Sequence, residues 1–126
     1  VDAEGPAIRA AGANIRLNPR GAPRRFIAAR IDRDFVARAL PRPSGADVVL
    51  LDPPRNGPMH GVVTALGRRD PQLVLHVFCD VDQIPPSLER WRAAGYRPRR
   101  VVPLDMFPGS ANLEVLVLLA RQTGRD

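Results

Sequence analysis

The chain has 126 residues, of which 44% are hydrophobic, so it is long enough for one compact domain and too apolar for a disordered chain. All 19 cations are arginines, and the resulting charge of +6 suits a phosphate-bearing partner, although a bias toward Arg and Pro explains it equally well. One cysteine and two scattered histidines exclude a disulfide framework and favour no metal in this segment. No apolar run is long enough for a bilayer and no signal peptide begins the chain, so we expect a cytoplasmic protein without a membrane partner.

Apolar runs alternate with helical patterns along the chain, which predicts an α/β domain with a largely parallel sheet. In the first third, Pro6 and the apolar spacing of Ile8 and Ile15 indicate a helix over 6–15. The turn residues at 18–21 end this helix. A short strand at 26–29, a brief helix at 34–40 and a loop at 41–45 are expected next.

The rest of the chain carries the clearest strand patterns. The runs at 47–51 and 73–78 are apolar and β-branched, as expected of buried parallel strands. The connection at 105–112 is too short for a crossover helix, so the last two strands should be antiparallel. The predicted elements are strand 47–51, helix 61–66, strand 73–78, helix 86–94, strand 100–104 and strand 113–119.

Polar side chains at the predicted strand ends are the candidates for chemistry. Asp52 and Cys79 both follow buried strands. Ligands of such sheets bind at the carboxyl ends of the strands, so these two residues are expected to line one crevice. Pro53 and Pro54 stiffen the turn after Asp52 and leave carbonyl groups free to accept from a planar amide or base, although an ordinary strand-ending turn has the same form.

The other candidates also have two interpretations each. Cys79 is either a nucleophilic thiol or a small buried hydrophobe. Glu114 is either a general base at the mouth of an apolar strand or a charge that protects a sheet edge. Asp2 is an acidic residue before a helix, where nucleotide-binding folds hold ribose hydroxyls, but no strand precedes it in this sequence.

Several motifs in a fixed order resemble the RNA uracil-5 methyltransferases, which depend on S-adenosylmethionine (SAM) and act on ribosomal or transfer RNA. Asp52-Pro53-Pro54-Arg55-Asn56-Gly57 is similar to the family's Asp-Pro-Pro-Arg-x-Gly signature, and Cys79-Asp80 is similar to its Cys-Asp/Asn. Ala94-Gly95-Tyr96 matches the family's helix end, and the segment 105–114 resembles Asp-Met-Phe-Pro-x-Thr-x-His-x-Glu. The segment 1–14 is similar to the family's Val-Glu and following helix.

This resemblance implies a Rossmann-like class I SAM-dependent methyltransferase domain, with a mostly parallel sheet that ends in an antiparallel strand pair. It implies transfer of a methyl group from SAM to carbon 5 of a uridine in RNA, with Cys79 as nucleophile and Glu114 as base. Pro53 and Arg55 would bind the substrate. The cofactor-binding residues would be Asp2 at the ribose, Asp32 near the adenine, and Asp52 beside SAM and the target base.

Three positions depart from the family's pattern, and each flanks a catalytic candidate. Phe78 and Val81 stand where the family has Ser and Pro, and Asn112 stands where it has His. The family's first strand and Gly-rich SAM loop have no counterpart here, so we interpret 1–126 as a partial catalytic domain whose activity requires a longer parent. An incomplete sheet would leave a strand edge that permits self-association.

Two other functions stay open at this point. An amino-group adenine methyltransferase would carry an aromatic residue after Asp/Asn-Pro-Pro, where this chain has Arg55. A Cys79→Ala change separates that enzyme from a uracil-5 methyltransferase, because the amino-methylating mechanism needs no thiol. A methyltransferase-like module without activity would instead bind RNA or a protein through its basic surface. The residues proposed for that surface are Arg24, Arg25, Arg97, Arg99 and Arg100, near Tyr96.

Overall fold

The computed structural model describes residues 1–17, 24–40, 47–110 and 112–122. Helices and strands alternate through most of this range, which confirms the predicted α/β class. A short 3-10 turn at Val81–Gln83 leads directly into α4. In chain order the elements are α1 (Gly5–Leu17), α2 (Arg33–Ala39), β1 (Val48–Leu51), α3 (Val62–Arg68), β2 (Leu73–Phe78), α4 (Ile84–Ala93), β3 (Tyr96–Leu104) and β4 (Glu114–Arg121).

Four strands form one mixed sheet in the spatial order β1-β2-β4-β3. β1 and β2 are parallel and are joined through α3, whereas β4 is antiparallel to both β2 and β3. The antiparallel pair is confirmed, because the connection between β3 and β4 has no room for a helix. The carboxyl ends of β1 and β2 therefore meet the start of β4 at the same edge of the sheet.

One face of the sheet is buried under helices. Alternate residues of β2 and β4 point to this face, among them Val74, Val117 and Leu119, all with 0% exposure. Trp91 of α4 is fully buried against the sheet and packs edge-to-face on Tyr96, with ring centroids 5.4 Å apart. The Tyr96 hydroxyl donates to the carbonyl of Pro71 at 2.7 Å. The aromatic packing of Trp91 on Tyr96 thus fixes the position of α4 on the sheet.

The opposite face is more open, especially at β1. Val48 and Leu50 are 61% and 67% exposed, although both are apolar strand residues. β1 is also an outer strand of the sheet, since its only described strand neighbour is β2. The edge expected from an incomplete sheet is therefore present in the part of the chain that the structure describes.

Three element predictions need correction. The predicted strand at 26–29 is limited to one parallel bridge between Asp2 and Ala28, held by two backbone hydrogen bonds of 3.1 and 2.8 Å. β3 begins at Tyr96 rather than at 100, because an outer strand tolerates the prolines and charges that hide its pattern. α4 begins at Ile84, with prolines in its first turn. The predicted turns at 18–21 and 41–45 lie outside the described residues.

Candidate active site

A shallow, open cleft lies at the carboxyl ends of β1 and β2. Its wall contains Pro53, Pro54 and Arg55 from the turn after β1, and Cys79 from the end of β2. Cys79 and Asp52 were expected to line one crevice, but of these two only Cys79 lines this cleft. Asp52 is exposed beside it, and Glu114 is not one of the lining residues either.

Glu114 reaches the same edge of the sheet through β4. Phe78 pairs with Val115 at the end of the antiparallel ladder between β2 and β4. The next positions, Cys79 and Glu114, are therefore neighbours across the two strands, with side chains toward the same face of the sheet. Both residues are half-buried, so the thiol and the carboxylate are partly shielded and still accessible to a ligand.

The turn after β1 is rigid. Gly57 donates its backbone N–H to the carbonyl of Pro54 at 2.7 Å and adopts a φ of 77°, a left-handed conformation that glycine reaches without strain. Pro53 and Pro54 fix two further φ angles and have no N–H to satisfy. These three residues determine the conformation of the turn, which then fixes the position of the Arg55 backbone.

Arg55 joins this turn to the segment before β4. Its Nη2 donates to Oδ1 of Asn112 at 3.1 Å, although the two residues are 57 positions apart. Asn112 is itself held in place, since its N–H donates to Oγ of Ser110 at 3.2 Å and that hydroxyl donates to the carbonyl of Phe107 at 2.8 Å. The two motif segments that flank the cleft are therefore hydrogen-bonded to each other.

The two predicted cofactor residues near the start of the chain lie at the beginnings of helices. Asp2 stands where the family has its ribose-binding acid, and its Oδ1 accepts from the N–H of Glu4 at 2.7 Å, next to the start of α1. Asp32 is the N-cap of α2, because its Oδ1 accepts from the N–H of Phe35 at 2.7 Å. No described hydrogen bond connects either carboxylate to the cleft, so their cofactor roles stay predictions.

The three departures from the family's pattern occupy different environments. The Phe78 side chain is 4% exposed and belongs to the core. Val81 is 48% exposed at the start of the 3-10 turn, where Asp80 caps the N–H of Asp82 at 3.0 Å. Asn112 holds Arg55. Only Asn112 makes a polar contact with a predicted site residue among those described.

His76, three residues before Cys79, is a buried residue of β2 that was not among the predicted site residues. Its side chain is 0% exposed, and burial lowers its pKa to about 4. Nδ1 accepts from Trp91 Nε1 at 3.1 Å, which leaves the proton of the neutral ring on Nε2. The strict alternation of β2, with Val74 and Phe78 as the other inward residues, is the signal that places His76 in the core.

The described residues contain no group of three or more His, Cys, Asp or Glu side chains that could hold a metal ion. None of their helices has the length and apolar character that a bilayer-spanning segment requires.

Comparison with known proteins identifies RNA methyltransferases as relatives, although no family model matches the chain. An uncharacterized RNA methyltransferase of Corynebacterium efficiens is 34% identical over 103 residues, which are 82% of this chain and 23% of that protein. The 23S rRNA (uracil(1939)-C(5))-methyltransferase RlmD of Chromohalobacter salexigens is 36% identical over 90 residues, 71% of this chain and 19% of its own length.

A solved structure has the same fold. The tRNA (uracil-54, C5)-methyltransferase of Pyrococcus abyssi, crystallised with S-adenosyl-L-homocysteine, superposes with a TM-score of 0.73 at 27% identity. The superposition covers 94% of this chain and 27% of that protein. The chain therefore has the Rossmann-like fold of SAM-dependent methyltransferases and spans about a quarter of its relatives' length. By sequence and by fold, it is a relative of the RNA uracil-5 methyltransferases.

Proposed function

We propose that this chain is the carboxyl-terminal part of a catalytic domain that transfers a methyl group from SAM to carbon 5 of a uridine in ribosomal or transfer RNA. The observation that carries the proposal is the position of Cys79, which lines one cleft with Pro53, Pro54 and Arg55 and directly follows β2 at the end of the sheet where Glu114 begins β4. A nucleophile and a base on adjacent strands, beside a stiff turn with free carbonyl groups, suit a reaction on a planar pyrimidine.

The residues present can complete the reaction without a metal. The thiolate of Cys79 adds to carbon 6 of the uracil, and the electrons of the ring double bond form an enolate that makes carbon 5 nucleophilic. Carbon 5 then takes the methyl group. Glu114 removes the proton from carbon 5, the double bond between carbons 5 and 6 re-forms, and the thiolate leaves carbon 6. The uridine must leave its stack to reach the cleft.

SAM, when bound, supplies an electrophilic methyl group. The residues that would hold it are Asp2, Asp32 and Asp52, since carboxylates accept hydrogen bonds from ribose hydroxyls and amino groups. Asp2 forms a parallel bridge with Ala28 and precedes α1, so it occupies a strand-like position before a helix, as this role requires. That local geometry fits the ribose and supports the assignment of Asp2.

Arg55 and the prolines would orient the target base. The Arg55 guanidinium is exposed beside the cleft and is already held by Asn112, so its remaining N–H groups can donate to a uracil carbonyl or a phosphate. The free carbonyl groups of the Pro-Pro turn can accept from the uracil imide N–H. Together they would present carbon 6 to the thiol.

The test uses RNA in which the target uracil is replaced by 5-fluorouracil. Fluorine at carbon 5 cannot leave as a proton, so the enzyme stalls as a covalent protein–RNA complex that mass spectrometry detects. We expect the adduct in the presence of SAM and its loss in Cys79→Ala. On unmodified RNA, Glu114→Gln should accumulate the methylated adduct, because the carbon 5 proton then has no base.

The chain and a longer parent should be tested side by side. Because the chain spans about a quarter of its relatives' length, we expect the 126-residue chain alone to be weakly active or inactive. An adduct with the parent only supports the proposal and defines the chain as incomplete. No adduct with either would support the alternative of an inactive RNA- or protein-binding module. An adduct that survives Cys79→Ala, or methylation of adenine amino groups, would overturn the mechanism.

Two further properties belong to the same proposal. An enzyme that modifies ribosomal or transfer RNA is expected in the cytoplasm, which fractionation of cells that express the parent would test. Self-association through the outer edge of β1 stays a prediction, which sedimentation velocity checks for the chain and for the parent.

A further inference from the structure

We infer that a surface remote from the cleft binds the phosphate backbone of RNA, and this inference rests on RNA being the substrate under the proposed function. The surface, called here the β3 arginine surface, lies on the first half of β3. It consists of Arg97, Arg99 and Arg100.

The three arginines of β3 form a block of positive charge. All are exposed, and no acidic residue lies between positions 90 and 100. The ion pairs found in the described residues involve other arginines, such as Arg38 with Asp34 and Arg121 with Asp70. None of the three makes such a pair there, so their charges are available to a polyanion.

The register of β3 places this surface relative to the cleft. Arg100 is paired with Leu118 and Arg97 with Ala120, whereas Leu104 is paired with Glu114. At about 3.4 Å per residue, Arg100 and Arg97 lie roughly 14 and 20 Å along the sheet from Glu114. An RNA strand whose target uridine occupies the cleft would have to continue along β3 to reach them. The contact would therefore add affinity without touching the reacting base.

Protection of the sheet edge does not require so many charges. Pro98 and Pro103 already remove backbone donors from the outer strand, and the pairing register shifts between Pro98 and Arg100. These features also prevent the continuous ladder that a protein strand would need in order to add to β3. Arg90 and Arg92 complement the helix dipole of α4, but Arg97, Arg99 and Arg100 have no such role. Phosphate binding accounts for these three strand arginines.

The experiment measures binding of the 126-residue chain to a labelled single-stranded oligouridine over a range of KCl concentrations. The test variant is Arg97→Gln/Arg99→Gln/Arg100→Gln. The matched control is Arg9→Gln/Arg16→Gln/Arg68→Gln, which removes the same charge from exposed positions on α1 and α3 that form none of the described ion pairs. Loss of three phosphate contacts should weaken binding about 10- to 100-fold at moderate salt and lower the salt slope by about 2. The control should bind nearly as the parent chain does.

Three results would overturn the inference: equal losses in both triple variants, an unchanged test variant, or no binding of oligouridine by the chain. Circular dichroism should show that both variants fold, because all six positions are exposed. The adduct assay with 5-fluorouracil RNA is independent of this readout. A chain that binds through β3 but forms no adduct even as a longer parent would contradict the proposed catalysis and leave this surface intact. An adduct, combined with equal losses of binding in the two triple variants, would support the proposed catalysis and contradict the binding surface.

Discussion

The buried histidine of β2 makes stability depend on pH in a defined window. His76 has no exposed surface, and burial lowers its pKa from 6.5 to about 4. Between pH 6.5 and about 4, His76 is protonated in the unfolded chain but stays neutral in the folded chain. Stability from this residue is therefore complete above pH 6.5 and is lost progressively as the pH falls toward 4.

The size of the effect follows from the same values. A pKa that falls from 6.5 to about 4 corresponds to about 3 kcal/mol, at about 1.4 kcal/mol per pH unit. A domain of this size has a free energy of unfolding of roughly 5–15 kcal/mol, so the loss is a large share of the total. Protonation would also put a positive charge beside Trp91, which donates to Nδ1 and cannot accept from it.

The assay is urea unfolding of the chain at a series of pH values between 7 and 4, compared with His76→Asn. The asparagine amide oxygen can still accept from Trp91 Nε1 but does not titrate. The contribution of the carboxylates that both proteins share therefore cancels in the difference between their free energies of unfolding. We expect the difference to shrink by about 3 kcal/mol across this range. Parallel curves, or an NMR titration of His76 with a pKa near its usual 6.5, would refute the reasoning.

Three other substitutions test single contacts through the midpoint of urea unfolding. Gly67→Ala would put a methyl group 2.7 Å from Cβ of Ala94 and push α3 from α4, at a cost of about 1–2 kcal/mol; an unchanged midpoint would mean that these helices separate freely. Asp32→Ala removes the cap of α2 and should cost about 1 kcal/mol, whereas Asp32→Asn should keep most of it. Tyr96→Phe leaves the buried carbonyl of Pro71 without its donor and should cost about 1–2 kcal/mol, so a neutral result would show that water replaces the hydroxyl.

The parts of the fold that the sequence predicts are those with one dominant local signal. The strand at 73–78 was predicted at its observed bounds, because an apolar run between turn residues has few other solutions. β3 was predicted four residues too short, since Arg97 and Pro98 do not resemble strand residues. They are tolerated there only because β3 is an outer strand, which is a property of the assembled sheet.

The site divides in the same way. Strand-end position predicted that Asp52 and Cys79 would line one crevice, but the residues after β1 that share the cleft with Cys79 are Pro53, Pro54 and Arg55. The hydrogen bond between Arg55 and Asn112 joins residues that only the antiparallel return of β4 brings together. No local sequence pattern predicts this hydrogen bond. Likewise, a histidine in an apolar strand does not reveal its Trp91 donor until α4 is packed on the sheet.

The departures from the family's pattern are better explained as local repacking than as loss of the cleft. Side chains alternate along a strand, so Phe78 points into the core, where its ring centroid lies 3.9 Å from that of His76, while Cys79 points to the other face. The larger side chain in place of Ser is therefore packed largely in the core, although Phe78 also belongs to the lining of the cleft beside Cys79. Asn112, in place of His, can act at the cleft only through the guanidinium that it holds. Asn112→His in an active parent should then alter KM for RNA more than kcat, whereas an equal loss in both would assign Asn112 to the chemical step.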